Sequence, residues 1–280
     1  MIVPVLSHQA LLADIRAAAD ETDKLHLWWL GQSGFLVQWQ QRHLLLDPYL
    51  SDSLTKKYAA TDKPHVRMTE LVVDPAKLDM IAVVTSSHNH TDHLDGETLV
   101  PLLQANRDLA VVVPAANREF AAERLHVPPE RLIGIDDGVT IEAAGFALHG
   151  VPAAHETVER DALGRCRFLG IIAQCGGWTI YHSGDTIRFD GMAESLSRWN
   201  IDVAILPING RAAERRVAGN LWGREAAQLA HDIGAGVVIP CHYEMFAFNT
   251  APPDEFAAAC DALGQAFRVA KCGERITLPA

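Results

Sequence analysis

The sequence is poor in cysteine, and its cysteines lack the arrangement of a structural framework. It has five among 280 residues, an odd number, and no two of them form a CxxC pair. Disulfide frameworks occur mainly in small secreted domains that cannot build a sufficient core, whereas this chain is long enough to build one. We therefore expect no disulfide framework.

Positive charge is also scarce. Lysine and arginine total 24 against 35 aspartates and glutamates, which gives a formal net charge of -11. Binding to a phosphate backbone needs a concentrated positive face, so this balance argues against nucleic acid as a partner. It leaves room for a local basic pocket that binds a small anion.

Long apolar runs are absent as well. The longest, around Leu109–Ala116, has about eight residues and contains Pro114, whereas a membrane-spanning helix needs about 20. The first residues, MIVPVLSHQALLADIR, lack a basic segment followed by an apolar run and so predict no signal peptide. We expect a cytoplasmic protein without a membrane partner.

The sequence does have the apolar residues for a large core, with 49% hydrophobic and 21% charged residues. Strand-like runs followed by alternating strands and helices occur in both halves of the chain, and no low-complexity linker separates them. This order predicts an α/β protein with one domain over residues 1–280, in which two sheets lie between helices in a four-layer αββα sandwich. The polar, turn-rich stretches 51–78 and 155–167 are predicted to be loops over a site.

The most informative segment is VVTSSHNHTDHLD at positions 83–95, which begins within a buried strand predicted for Met80–Thr85 and continues into the loop after it. Four side chains in it follow an H-x-H-x-D-H spacing: His88, His90, Asp92 and His93. Such a loop lies at the carboxyl end of its strand, where open sheets place their sites. Imidazole and carboxylate groups bind zinc, manganese and iron, and a single loop could supply ligands to two ions. An ordinary exposed loop is the simpler interpretation, but this density of donors after a buried strand argues against it.

The H-x-H-x-D-H segment resembles the motif of the metallo-β-lactamase superfamily. The resemblance implies the αββα sandwich with a two-metal site at one edge. It also implies further site residues, each near the end of a strand: Asp47 in LLLDPYL, His155 in GVPAAHE, Asp185 in IYHSGDT and His242 in VVIPCHYE. By this resemblance, His88, His90 and His155 bind one metal, whereas Asp92, His93 and His242 bind the other. Asp185 bridges the two ions, and Asp47 is structural.

Five further segments, LWWLGQSGF, LLLDPYLSDS, RFLGIIAQ, LPINGR and HYEMFAFN, resemble the branch of the superfamily that includes L-ascorbate-6-phosphate lactonase. This implies hydrolysis of an ester-like bond, in a lactone of a small anionic substrate similar to a sugar-acid phosphate, by a metal-activated hydroxide. Asp185 would fix the separation of two divalent ions and Asp92 would orient the hydroxide. The ions are expected to be zinc or manganese, with iron as a third candidate.

Three residues near predicted strand ends are candidate substrate contacts. Asn209 could donate to a developing oxyanion, Arg211 could pair with a phosphate or carboxylate, and Tyr243 could hydrogen-bond to substrate. The alternatives are a tight turn at Asn209, a solvated charge at Arg211 and a packed ring at Tyr243. As partners we expect a small anionic molecule and further copies of the chain.

Other functions remain open on the same residues. The main alternative is a metal-dependent phosphodiesterase or a phospholipase D-like hydrolase. A redox di-iron protein is disfavoured, because the resemblance to that branch would imply a glutamate at the position where this sequence has His90. A binding protein that has lost its metals is disfavoured by the complete set of seven ligand candidates.

Overall fold

The computed structural model describes residues 1–278, which contain thirteen β-strands and seven α-helices. The strands are β1 Leu25–Gly31, β2 Gly34–Trp39, β3 Arg42–Leu46, β4 Val83–Thr85, β5 Ala110–Pro114, β6 Leu132–Ile135, β7 Thr140–Ala143, β8 Phe146–Pro152, β9 Leu169–Cys175, β10 Trp178–His182, β11 Val203–Pro207, β12 Val237–Cys241 and β13 Arg275–Leu278. The helices are α1 His8–Ala18, α2 Ser53–Tyr58, α3 Gly96–Ala105, α4 Arg118–Leu125, α5 Met192–Leu196, α6 Gly223–Asp232 and α7 Asp254–Leu263.

The strands form two mixed sheets. The first has the order β13-β1-β2-β3-β4-β5-β6 and is antiparallel from β13 to β3 and parallel from β3 to β6. The second has the order β12-β11-β10-β9-β8-β7 and is parallel only from β10 to β12. The parallel strands β4 and β11 are buried along their whole length, which explains their continuous apolar runs.

Helices cover the sheets because each has one apolar face. In α1, the helical spacing of Leu11, Leu12 and Ile15 buries these side chains in the core, and Gln38 of β2 donates to the Ile15 carbonyl over 3.1 Å. Helix α4 contacts β5 and β6, and α6 contacts β11 and β12. A continuous apolar cluster contains residues of both sheets, such as Val84 and Ile205. The four-layer αββα sandwich predicted from the sequence is confirmed.

Strand directions bring several strand ends to one edge of the sandwich. Strands β3 and β4 are parallel, so the loops after Leu46 and Thr85 leave together. Strand β8 is antiparallel to β9, which is antiparallel to β10, so β8 runs in the same direction as β10 and its parallel partners β11 and β12. The loops after β8, β10, β11 and β12 therefore also share one edge.

The structure differs from the sequence prediction in local detail. Strand β4 begins at Val83 rather than Met80, because the amide of Ile81 donates to the Asn106 side chain over 3.0 Å instead of joining the sheet. Strand β6 and the short helices α2 and α5 were not predicted. Helix α2 lies inside the stretch predicted to be a loop over a site.

Two further findings concern the cysteines and the helices. All five cysteines are free and buried in the structure. Within residues 1–278, no helix has the length and apolar character needed to cross a bilayer.

Candidate metal centre

The metal-ligand candidates all lie in loops that follow strands, and the structure brings them together. His88, His90, Asp92 and His93 follow β4, His155 follows β8, Asp185 follows β10 and His242 follows β12. One donor atom from each of His88, His90, His155 and Asp185 lies within 4.8 Å of the others, and the same holds for Asp92, His93 and His242. We call these the first and the second donor group.

Asp185 lies between the two donor groups. Its Oδ2 is 3.5 Å from Nε2 of His155, in the first group, and 3.4 Å from Nε2 of His242, in the second. Its Oδ1 is 3.3 Å from Nε2 of His93. This is the position that a carboxylate shared by two ions would occupy, as the sequence resemblance implies.

Neighbouring groups orient the rings of His93 and His155. Asp47 Oδ2 is 2.6 Å from Nδ1 of His93, and Asp47 Oδ1 accepts from the Ser87 amide over 2.8 Å. Nδ1 of His155 donates to the Gly219 carbonyl over 2.9 Å. Contacts at Nδ1 leave Nε2 directed towards the other donors, as metal-binding histidines require. Asp47 thus has the structural position predicted for it.

The loop with Asp185 approaches the loop with His88 very closely. Gly184 has φ +60°, and a Cβ on it would lie 2.6 Å from the Ser87 side chain. Glycine is therefore required before Asp185, both for the backbone conformation and for space. His182 connects the same loop to the β1–β2 turn, because its Nε2 donates to the Ser33 carbonyl over 2.8 Å while its Nδ1 accepts from the Gly184 amide over 3.3 Å.

The donor set fits divalent ions. Nε2 of His88 is buried and has no hydrogen-bond partner among the described residues. Nε2 of His93 and Oδ1 of Asp185 are 3.3 Å apart, but both are buried without a partner in the described part of the chain that meets hydrogen-bond geometry. Buried polar atoms are rarely left unpaired, so these atoms indicate that a divalent ion binds here as their partner. Donor atoms in the second group and Asp185 are 3.3 to 3.7 Å apart. Ligands bound tetrahedrally at about 2.0–2.1 Å would be about 3.3 Å apart, which agrees with this spacing.

The charges at this centre show the same fit. Burial raises the pKa of the Asp185 carboxyl, but the charges of His242 and His93 outweigh burial and hold that pKa well below its usual range. Burial lowers the pKa of His242, but Asp185 and Asp92 more than compensate and raise it to about 9. The pKa of His93 is raised in the same way. The two carboxylates therefore favour positive charge at this centre, and a metal ion bound there would compete with protons for the ring nitrogens.

A pocket of about 340 Å³ opens over the centre. One part of its lining, the donor wall, consists of His90, Asp92, His155, Asp185 and His242. Another part, the aromatic wall, consists of Tyr58, His65, Phe246 and Phe248. The His65 ring stacks on Tyr58 with centroids 4.2 Å apart and meets Phe248 edge-on at 4.6 Å. Lys57 adds a positive charge to the same lining.

The structure does not bring the three predicted substrate contacts to this pocket. The Arg211 guanidinium forms two hydrogen bonds with Glu225, of 2.6 and 2.7 Å, and borders a separate depression. The Tyr243 hydroxyl donates to the Ala270 carbonyl over 2.5 Å, and its ring stacks on Trp29. Both side chains have partners within the protein, and neither lines the pocket over the donor groups.

Asn209 is also withdrawn from the pocket. It is fully buried, its Nδ2 donates to Asn249 over 3.0 Å, and its Oδ1 accepts from Asn220 over 3.0 Å. Asn249 itself lines the pocket. Asn209 therefore supports a lining residue instead of facing the substrate.

Sequence reasoning missed the aromatic wall and three further side chains at this site, Gln32, Lys57 and Arg124. Lys57 and Arg124 line the pocket, and Arg124 donates to the carbonyls of Asn89 and Leu94 at 2.8 and 3.1 Å, across the metal-ligand loop. Gln32 of the β1–β2 turn reaches the second donor group and donates to Asp92 Oδ2 over 2.8 Å. Each is isolated in the sequence, so no spacing connects it to the histidine motif.

The fold and this constellation define a class of protein, and comparison with known proteins agrees. The chain matches the family model described as beta-lactamase superfamily domain over residues 42–243, and it therefore belongs to the metallo-β-lactamase superfamily. The matched range contains all seven ligand candidates and Asp47.

The chain is also similar to particular proteins. It is 27% identical over 243 residues to a UPF0173 metal-dependent hydrolase of Pyrobaculum aerophilum, covering 86% of this chain and 94% of that protein. It is 28% identical over 246 residues to a UPF0173 metal-dependent hydrolase of Methanosarcina mazei, covering 85% and 91%. Among solved structures, an isothiocyanate hydrolase from Delia radicum gut bacteria has the same fold, with a TM-score of 0.73 at 18% identity, covering 91% of this chain and 99% of that one.

Proposed function

We propose that this protein is a metal-dependent hydrolase that cleaves an ester-like bond, with a lactone of a small anionic molecule as substrate. The observation that carries the proposal is the pair of donor groups that share Asp185 at the base of a single pocket. The name of the Pyrobaculum relative, a metal-dependent hydrolase, supports the reaction class.

The bound ions would polarise the scissile bond and lower the pKa of a water molecule towards neutrality. The protein's own residues hold the parts in place. Asp185, with 4% of its side chain exposed, fixes the separation of the two donor groups. Asp92 has 17% of its side chain exposed, so it is accessible from the pocket and can orient an attacking water by accepting a hydrogen bond. No serine or cysteine nucleophile is needed.

Lys57 is the residue that supports an anionic substrate. Its side chain lines the pocket, and its Nζ lies 5.2 Å from the centre of the Tyr58 ring. The other basic lining residue, Arg124, already donates to two carbonyls of the metal-ligand loop. In a protein of net charge -11, the Lys57 ammonium group, which has no ion pair within residues 1–278, gives a second anionic group of the substrate a place to bind.

The test is a substrate panel with protein loaded with zinc, manganese or iron(II). The panel contains a phosphorylated sugar lactone, its unphosphorylated form, an aliphatic lactone and an activated phosphodiester. We expect lactone hydrolysis that a chelator abolishes and added metal restores, with preference for the phosphorylated compound. Turnover of the phosphodiester alone would replace the lactonase proposal with a phosphodiesterase. No turnover of any compound by protein with two bound ions would overturn the hydrolase proposal.

A further inference from the structure

Gln32 occupies an unusual place in the turn between β1 and β2. Its backbone has φ +51°, a conformation uncommon for residues other than glycine, and its side chain is 1% exposed. The Gln32 carbonyl accepts from the His242 amide over 2.9 Å and from Nε1 of Trp29 over 2.9 Å. These contacts fix the turn so that the Gln32 side chain points into the second donor group.

The amide end of Gln32 lies at the donor atoms themselves. Its Nε2 is 2.8 Å from Asp92 Oδ2 and 3.0 Å from His242 Nε2. These are the two atoms that face the other donors, because Asp92 Oδ2 is 3.5 Å from His242 Nε2 and 3.7 Å from His93 Nε2. An atom this close to both is near enough to reach an ion that they would hold.

Gln32 Oε1 is buried and has no hydrogen-bond partner among the described residues. A half-turn about the last side-chain torsion exchanges Oε1 and Nε2 without moving the rest of the residue. A cation beside Asp92 and His242 favours the oxygen, which carries lone pairs, over the NH₂ group, which has only donors to offer. The ion would therefore supply the missing partner of Oε1.

We propose that Gln32 is an additional ligand of the second metal position, through its amide oxygen. The first position then has the nitrogens of His88, His90 and His155 with one Asp185 oxygen, a four-donor set that suits tetrahedral zinc. The second has His93, His242, Asp92, Asp185 and Gln32, five donors of which three are oxygens. More donors and more oxygen favour manganese over zinc, so the two positions differ in metal preference.

The inference rests on the proposed metal dependence but not on the proposed reaction. Its test is binding of the metal alone, so it can fail while hydrolysis stands, and the lactone proposal can fail while it stands. Metal-free protein receives one equivalent of Zn²⁺ and is then titrated with Mn²⁺, with free Mn²⁺ measured by electron paramagnetic resonance. For the wild-type protein we expect one bound manganese beside one bound zinc.

Variants of Gln32 separate a ligand from a hydrogen-bond donor. Gln32→Met has similar size but no oxygen and is expected to weaken Mn²⁺ binding about 10- to 100-fold. Gln32→Glu keeps the oxygen and adds charge, so it should bind Mn²⁺ at least as tightly as wild type. If Gln32 only donated to Asp92, the glutamate would repel that carboxylate and weaken binding as strongly as methionine does, and this result would overturn the proposal.

Gln38→Met is the matched control. Gln38 lies in β2 of the same hairpin, is also 1% exposed, and hydrogen-bonds to His43 and the Ile15 carbonyl away from the metal centre. The Gln38→Met variant should be less stable than wild type but should bind Mn²⁺ with the same affinity. Unchanged Mn²⁺ affinity in Gln32→Met would also overturn the proposal. Should the methionine variant fail to fold, the nearly isosteric Gln32→Glu decides alone, because the ligand role and the donor role predict opposite changes.

Discussion

The donor wall and the aromatic wall of the pocket are built in different ways. Donor-wall side chains follow the ends of sheet strands, and a group behind the ring holds His155 in place, the Gly219 carbonyl. Aromatic-wall side chains come from the six-residue helix α2, from the segment after it and from the loop after β12, and they mainly contact one another. The comparison suggests that the donor wall determines the chemistry, whereas the aromatic wall and Lys57 determine which substrate is accepted.

The largest effect is expected from the donor wall. Asp185→Ala removes the carboxylate between the two donor groups, so the protein should lose at least one ion and with it several kcal/mol of transition-state stabilisation. This corresponds to a fall in kcat/KM of about 1,000-fold or more. Circular dichroism should stay close to wild type while metal analysis gives one ion or none. A variant that keeps two ions and most of its activity would contradict the assignment.

Metal removal should weaken the whole structure. An ion present at about 1,000 times its Kd stabilises the folded state by about 4 kcal/mol, and in a chain of this size each kcal/mol changes Tm by about 2–4 °C. Chelation is therefore expected to lower Tm by about 8–16 °C per ion, as measured by calorimetry, with recovery when metal is added. Chelation should lower the Tm of Asp185→Ala by less. An equal fall in Tm for the variant and the wild type would contradict a role of Asp185 in holding the second ion.

A smaller effect is expected from the aromatic wall. Phe248→Ala removes a half-buried ring that meets His65 edge-on, and such ring pairs contribute about 0.5–1.5 kcal/mol. KM should rise about 2- to 12-fold while metal content stays at two ions. Phe267→Ala, in a half-buried ring that packs on Phe256 away from the pocket, is the matched control and should leave KM unchanged. Loss of metal in Phe248→Ala would mean that the two walls are not independent.

The smallest effect concerns the charge of Lys57. This side chain is exposed, so solvent screens its attraction for an anion to about 0.2–1 kcal/mol. Lys57→Ala should raise KM for a phosphorylated lactone about 1.5- to 5-fold and leave KM for a neutral lactone unchanged. Arg211→Ala, whose guanidinium is paired with Glu225, should affect neither substrate. A stronger effect of Arg211 than of Lys57 would restore the role first expected for Arg211.

The donor wall was largely predictable from the sequence. The order of elements predicted the sandwich, and the carboxyl ends of its strands are where such sheets place their sites. His155, Asp185 and His242 were found through the family resemblance, because each follows a strand, and the structure brings all three to the loop with His88. Strand ends are easy to locate from apolar runs, so the convergence of these side chains could be predicted.

The pocket's remaining residues were harder to predict for a physical reason. Arg211 follows β11 at the correct edge, but its direction is decided by Glu225, which lies in the first turn of α6 and which the strand pattern does not reveal. Gln32 reaches the centre only because its turn has a positive φ, a property of the folded backbone. Side chains whose positions depend on a single turn or a single ion pair cannot be placed by periodicity alone.

The position of Asp185 between the two donor groups also bears on how the sandwich is held together. His93 belongs to a loop of the first sheet and His242 to a loop of the second, and Asp185 contacts both rings. Ions held there would cross-link distant parts of the chain, much as a disulfide does. For loops of about 100 residues, closing the unfolded chain in this way is worth about 4–5 kcal/mol. All five cysteines are free, so no disulfide connects the two sheets. The metal centre would instead be a reversible cross-link between them, which a chelator would break, whereas a disulfide would need a reductant.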